Sequence, residues 1–307
     1  MKKLYFVFNL QAGKGNLAGS LAEVIDMFTK AGNEVTARPT QDRGDAINAA
    51  IYACENKFDL LVCAGGDGTL SECIDGVMQC SNRIPIGYIP VGSTNDFAKG
   101  LGVPKGIVPA ARWIVEGAPM PCDVGSCNKS HFTYIAAFGA FTSVAYETSQ
   151  QIKNIFGHAA YLFSGMFQLT SIKSHKMKIE YDDVVIEDDF VFGMVTNSSS
   201  VAGLLSLNDF LLDDGLFEVT LIKKPTNVIQ LNAILHSLLN ITQDIDKDYI
   251  KSFRTHKIKF TSLEDTPITW TLDGENGGNS DVNLIENNHK AVSFIIGPRE
   301  ANNFVEA

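Results

Sequence analysis

No run of about 18 uninterrupted apolar residues occurs anywhere in the 307-residue chain, so no transmembrane helix is expected. The nearest approach, FTYIAAFGAFTSVAY, is too short and carries too many hydroxyls, and suits a buried strand pair better. Positive charge is also scarce. The formal net charge is −10 and no block of Lys and Arg stands out, which argues against nucleic-acid binding and against a polybasic lipid anchor. The six cysteines (Cys54, Cys63, Cys73, Cys80, Cys122 and Cys127) form no CxxC pair and no zinc spacing. They read as small reduced apolar residues of a cytoplasmic protein. In MKKLYFVFN the apolar run after the two lysines is too short for a signal-peptide core, and a first strand is expected there. Internal repeats and low-complexity linkers are absent.

What is present begins as alternating strand and helix. Leu4–Phe8, NEVTARP, Leu60–Ala64 and IPIGYIPVG read as strands. Between them, Leu17, Leu21, Val24, Ile25 and Phe28 share one helical face, with Gly32 placed to end that helix. Ala46, Ile47, Ala50, Ile51 and Cys54 mark a second helix, and Leu70, Cys73, Ile74 and Val77 a third. Leu60–Ala64 is apolar throughout, as a parallel strand covered on both faces should be. Repeated units of this kind imply a parallel sheet with right-handed crossovers. After Cys122 strands dominate: CDVGSCN, HFTYIAAFG, KMKIEYDD, DDFVFGMVTNS, LFEVTLIKK, HKIKFTS, ITWTLDG and AVSFIIG. Met177, Ile179 and Tyr181 alternate with Lys176, Lys178 and Glu180. Helical stretches are expected around His158–Ser171 and Thr226–Leu239. The expected fold class is α/β: a three-layer parallel-sheet nucleotide-binding domain over 1–122, then a mainly antiparallel β-sandwich over 123–297. A tail, about residues 298–307, is expected to pack back on the first domain. With no linker between them, the domains are expected to meet across a cleft.

Three glycine-bearing loops follow three strands of the first domain: NLQAGKGN (Asn9–Asn16), AGGDGTLSE (Ala64–Glu72) and PVGSTNDFAKGLG (Pro90–Gly102). In an open parallel sheet the carboxyl ends of the strands lie on one edge, where ligands bind, so the three loops should converge. Glycine lets backbone N–H groups approach phosphate oxygens, and a following helix N-terminus adds a favourable dipole. None of the three is a Walker loop or a GxGxxG turn. Each alone reads equally well as an ordinary strand-to-helix turn; three together favour a phosphate cradle. Asp67 lies among Gly65, Gly66 and Gly68, and Asp96 follows Thr94-Asn95 at a helix start. A lone Asp there usually caps a helix. Two carboxylates beside a phosphate cradle would repel a nucleotide unless Mg²⁺ bridged them to it. Far downstream, Asp273 and Glu275 flank Gly274 in WTLDGENGG. This reads either as a hairpin turn or as the carboxylate that orients or deprotonates an acceptor hydroxyl.

Together GGDGT (Gly65–Thr69), GSTNDFAKGLG (Gly92–Gly102) and LDGE (Leu272–Glu275) resemble the soluble diacylglycerol kinase catalytic family, which includes bacterial lipid kinases and the sphingosine and ceramide kinases. The likeness spans nearly the whole chain, through weaker blocks such as PTQDRGDA, CDVG, FTYIAAFG and HAAYLFSG. It implies an ATP-dependent lipid kinase. Asn9, Leu10, Gln11, Ala12, Gly13, Thr40, Gly65, Gly66, Asp67, Gly68, Thr69, Leu70 and Ser71, with Ser93, Thr94 or Asn95, would contact ATP. Asp67 and Asp96 would join the Mg²⁺–ATP network. Glu275 would accept the hydroxyl proton, with Asp273 close by. DDGLFEV resembles a segment that holds a second, structural Mg²⁺ in some bacterial members, which would assign Asp214 and the carbonyls of Leu211 and Leu216 to that metal. Asn9-Leu10 and Ala12 depart from the usual Asn-Pro and Ser, and Lys99 stands where Arg is common.

The lipid tails need an apolar groove. Phe156, Tyr161, Leu162, Phe163, Met166 and Phe167 could line one or could simply pack a core. The implied partner is a lipid substrate met at the membrane surface by transient peripheral contact, and a homodimer is compatible with the sequence. An NAD-kinase-like enzyme, which would share GGDGT, and a nucleotide-binding regulator without turnover stay open as alternatives.

Overall fold

The computed structural model describes residues 1–15, 17–92, 95–139, 173–197, 212–227, 229–231, 234 and 248–298, with only the backbone of Lys14, Gly15 and Asp96. The helix expected at His158–Ser171 and the aromatic stripe within it lie outside the described residues, as does most of the one expected at Thr226–Leu239. The chain forms two compact units, Met1–Cys122 with Lys290 onward, and Asp123–His289.

In the first unit, strands β1 (Lys2–Phe8), β2 (Asn33–Pro39), β3 (Leu60–Gly65) and β4 (Ile86–Pro90) are parallel and lie in the order β2-β1-β3-β4. The helices are α1 (Leu17–Lys30), α2 (Asp45–Glu55), α3 (Asp67–Met78), α4 (Asp96–Leu101) and α5 (Ile107–Glu116). Leu4, Phe6 and Phe8 point to one face, where Leu17, Val24 and Phe28 of α1 meet Ala110 and Ile114 of α5 in a dry core. The alternate β1 residue Tyr5 faces the other way, its ring 5.5 Å from that of Tyr52 on α2. There α2 and α3 pack together closely. A Cβ on Gly76 would stand 2.5 Å from the Ile47 carbonyl oxygen, so only glycine allows the approach. Gly32 ends α1 at φ +87°, the left-handed stop its position suggested.

Strand β5 (Ala118–Cys127) runs from the first unit into the second, which adds β6 (Ser130–Phe132), β7 (Ile135–Gly139), β8 (His175–Tyr181), β9 (Val184–Thr196), β10 (Phe217–Lys223), β11 (Ile250–Thr255), β12 (Lys257–Ser262), β13 (Ile268–Leu272), β14 (Glu275–Ser280) and most of β15 (Val282–Ile296). Strand β9 serves two antiparallel sets. Val184–Phe190 pairs with β8, and Phe190–Thr196 lies between β10 and β7. The sets β11-β10-β9-β7-β13-β14 and β9-β8-β12-β15 enclose one core. Trp270 of β13 sits at its centre, its ring 5.0 Å from Phe138 and 4.9 Å from Phe260, both edge-on. Met177 and Ile179 are buried as the alternation required, while Lys178 pairs with Glu180 at 3.0 Å outside.

Several expectations need adjustment. HFTYIAAFG is two strands, β6 and β7, broken at Thr133-Tyr134. AVSFIIG is only the end of β15, which begins at Val282; from Lys290 it belongs to the first unit, where Phe294 pairs in parallel with Ile86 of β4. Two short strands escaped notice because they carry little apolar signal: β11, which pairs with β10, and β14 (ENGGNS), which has no large apolar residue. Among the described residues, no helix is long and apolar enough to cross a membrane.

Candidate active site

The register of the parallel sheet puts the strand ends in one row. Phe8 pairs with Pro39 on one side and Ala64 on the other, and Gly65 pairs with Pro90. The chain turns from β1 toward β2 and crosses back to β3, so the order reverses at the β1/β3 boundary, where such sheets open a crevice. The three glycine loops do converge at this edge. The Asn9 N–H donates to the Ala64 carbonyl at 2.9 Å. Gly13, at φ +57°, lies so close to the third loop that a Cβ would sit 1.8 Å from the Val91 carbonyl oxygen. Gly92 abuts the second loop, where a Cβ would stand 2.7 Å from the Gly66 Cα. Thr40, at the end of β2, joins the same edge through its N–H to the Phe8 carbonyl at 2.9 Å.

The first loop has Leu10 where the resemblance expects proline, and Asn9 supplies the constraint instead. Its Oδ1 accepts the Gln11 N–H at 2.9 Å, an Asx turn that fixes the backbone without a ring. Leu10 and Gln11 are exposed, and Ala12–Gly15 forms a 3₁₀ turn.

In the second loop the glycines divide their work. Gly65 is glycine because the Thr69 side chain packs on it: a Cβ would meet Thr69 Cβ at 2.6 Å. Gly66 is the N-cap of α3 and offers no side-chain cap, which leaves the first-turn N–H groups facing outward. Asp67, Gly68, Thr69 and Ser71 are half-buried in the first turns of α3. Leu70 is buried, and its N–H is committed to the Gly66 carbonyl at 3.1 Å, so it serves the core. Glu72 turns inward. Its carboxylate accepts the N–H groups of Gly44 at 2.9 Å and Ala46 at 3.2 Å, capping α2 from α3. Glu72→Ala is expected to cost about 1–2 kcal/mol of stability by urea unfolding, with Glu72→Gln losing less.

Beneath the loops lies Tyr88, which sequence reasoning passed over as an ordinary strand residue. It is buried, with its hydroxyl 3.3 Å from the Gly65 carbonyl oxygen and 3.3 Å from Asn95 Oδ1. Burial pushes its pKa far above the ordinary phenol range, and the Asp67 carboxylate adds to the effect. Asn95 adopts φ +49° at the start of α4 and donates from Nδ2 to the Gly92 carbonyl at 2.5 Å. Ser93, Thr94 and the Asp96 side chain lie outside the described residues.

In the second unit, Asp273 and Gly274 both have positive φ (+50° and +86°), as a tight hairpin between β13 and β14 requires. The Asp273 carboxylate is fully engaged. Oδ2 accepts the N–H and hydroxyl of Thr133 at 2.6 and 2.7 Å, and Oδ1 accepts the N–H groups of Tyr134 and Ile135, both at 3.0 Å. These donors are the reason the strand predicted at His131–Gly139 breaks: they point at a carboxylate, not a neighbouring strand. Burial pushes the Asp273 pKa up, while the same donors pull it down. Asp273 therefore holds the turn, and Glu275 stands exposed beside it as the first residue of β14. Elsewhere in this unit, Asp214 Oδ1 accepts the Leu216 N–H at 3.0 Å and Oδ2 pairs with Arg254; Leu211 lies outside the described residues.

Residues 3–127 match the family model of the diacylglycerol kinase catalytic domain, and residues 136–293 that of the YegS C-terminal NAD kinase beta sandwich-like domain. The chain is 34% identical over 280 residues to the diacylglycerol kinase of Bacillus subtilis strain 168, covering 91% of each chain. It is 32% identical over 303 residues to that of Staphylococcus carnosus strain TM300, covering 98% of this chain and 97% of the relative. A crystal structure of a diacylglycerol kinase from Bacillus anthracis strain Sterne superposes with a TM-score of 0.73 at 24% identity, covering 97% of both chains.

Proposed function

Because this chain belongs to the diacylglycerol kinase catalytic family, a family of lipid kinases, we propose that it transfers the γ-phosphoryl group of Mg²⁺-bound ATP to the hydroxyl of diacylglycerol or a close relative. The observation that carries the nucleotide half of this reading is the mutual contact of the three glycine loops at the carboxyl edge of the parallel sheet. A triphosphate fits that edge. The Gly66 N-cap leaves α3 N–H donors for phosphate oxygens, and Asp67 offers a hard oxygen ligand in the same turn. Asn9–Gly13, Thr40, Gly65–Ser71 and Ser93–Asn95 form the nucleotide set, with Leu70 acting only as the packed base of α3. Mg²⁺, held by Asp67 and Asp96, would neutralise charge on the transferring phosphoryl oxygens.

The chain's own groups carry the remaining work. Asp273 fixes the β13–β14 turn through its four accepted hydrogen bonds, and Glu275 beside it takes the proton from the lipid hydroxyl. Asp273 is thus a positioning residue. The lipid is met at a membrane surface by reversible contact, in keeping with a chain of net charge −10.

The direct test is phosphorylation with labelled ATP and Mg²⁺ against a panel of dispersed diacylglycerol, ceramide, sphingosine and soluble NAD. Label is expected in diacylglycerol. Label entering NAD in preference to every lipid would overturn the reading, and label in none of them would favour a regulator without turnover.

A further inference from the structure

We propose that the acidic turn Asp213–Gly215 is a metal-independent anchor of the second unit, in which Arg254 supplies the positive charge otherwise expected from a second, structural Mg²⁺. Asp214 accepts the Leu216 N–H through Oδ1 at 3.0 Å and pairs with the Arg254 guanidinium through Oδ2. Arg254 is the register partner of Glu218 in the β10–β11 pair, and its Nε donates to Glu218 at 2.9 Å. Glu218 is buried, so its charge needs a partner inside the protein. Burial pushes its pKa up and Arg254 opposes that push. One planar guanidinium therefore serves two carboxylates on different segments, which a lysine could not do with the same geometry.

The other side of the turn is closed in the same way. Asp123 is buried at 2% exposure; its Oδ2 accepts the Gly215 N–H at 2.7 Å, and its Oδ1 lies 3.0 Å from His289 Nδ1. Its own N–H donates to the Leu212 carbonyl at 2.5 Å. Gly215 holds φ +79°, and a Cβ there would come within 3.1 Å of the His289 ring. The turn is pressed between Arg254 and His289, with Asp123 beneath.

Mg²⁺ demands near-octahedral oxygen donors and gives up its water reluctantly. Here both oxygens of Asp214 already accept N–H donors. A guanidinium at Asp214 would repel any cation placed on that carboxylate. Leu216, which the family resemblance enlists through its carbonyl, engages Asp214 through its N–H. Among the described residues, no group of three or more His, Cys, Asp and Glu is arranged to hold a metal ion.

This inference does not rest on the nucleotide reading, and its test contains no nucleotide or lipid. The full-length chain and its Asp214→Asn variant are melted in EDTA and in millimolar MgCl₂. The two proteins are expected to respond to MgCl₂ equally. In EDTA, Arg254→Met is expected to lower Tm by roughly 5–10 °C, since it strands a buried carboxylate. Arg254→Lys, which keeps the charge and loses the fork, should lose about half as much, and it decides the question if Arg254→Met fails to fold. A wild-type Tm that rises in MgCl₂ and stops rising in Asp214→Asn overturns the proposal. So does a full wild-type Tm for Arg254→Lys and Arg254→Met together.

Discussion

Gly92→Ala is expected to lower kcat/KM for ATP by about 10²-fold or more, because it forces two of the three loops apart. The added methyl would lie 2.7 Å from the Gly66 Cα and 2.8 Å from Asn95 Oδ1. Backbone cannot yield as a flexible side chain can. The loops must separate by several tenths of an ångström, and the Tyr88–Asn95–Gly92 hydrogen bonds that fix their register must lengthen. The substitution sits in a turn outside the hydrophobic core, so circular dichroism should stay near wild type while nucleotide affinity by calorimetry collapses. Gly19→Ala is the matching control. Nothing lies within 4 Å of a Cβ there, and this glycine in the first turn of α1 replaced by alanine should gain about 0.5 kcal/mol of stability or less, with kinetics unchanged. If Gly92→Ala kept wild-type kcat/KM, the loop contact would not be what shapes the nucleotide site.

The second large effect concerns proton transfer. Glu275→Gln should reduce kcat by about 10²–10⁴-fold, the usual worth of a positioned general base, while ATP affinity stays near wild type. Glutamine keeps the size and polarity of the side chain, and Glu275 is exposed, so stability should not move. Asp273→Asn should behave differently. The amide keeps one acceptor oxygen, and its NH₂ would face either the Thr133 donors or the N–H groups of Tyr134 and Ile135, so Tm should fall along with kcat. Equal kcat losses with no change in Tm for both variants would mean that the two carboxylates share the chemistry. A fully active Glu275→Gln would mean that another group takes the proton.

What could be seen in the sequence was whatever is local. Strands β1, β3 and β4 carry short apolar runs, the helices keep one apolar face each, and the glycine loops follow strand ends. Their convergence followed from the rule for parallel sheets, and Gly13, Gly66 and Gly92 show it in atoms. What could not be seen depends on partners distant in sequence. Asp273 looked like half of a catalytic pair because its donors, Thr133–Ile135, lie some 140 positions upstream. The cap that Glu72 places on the N–H groups of Gly44 and Ala46 joins residues 28 and 26 positions apart. Gly65 seemed to clear a path for phosphate, yet the Thr69 side chain already fills that space. Arg254 sits on β11, a strand with almost no apolar pattern, so neither the strand nor its two carboxylates could be read in advance.

The return of β15 to the first unit has a consequence for biosynthesis. The parallel sheet is complete only when Phe294 reaches Ile86, so β4 emerges from the ribosome well before its last neighbour exists. At ordinary elongation speeds the delay is on the order of ten seconds. Throughout that interval β4 presents an unpaired, strongly apolar edge, the kind that recruits other chains. A chain that terminates at His289 would keep the whole second unit and leave that edge open for good. Its fate should be aggregation rather than a clean loss of activity.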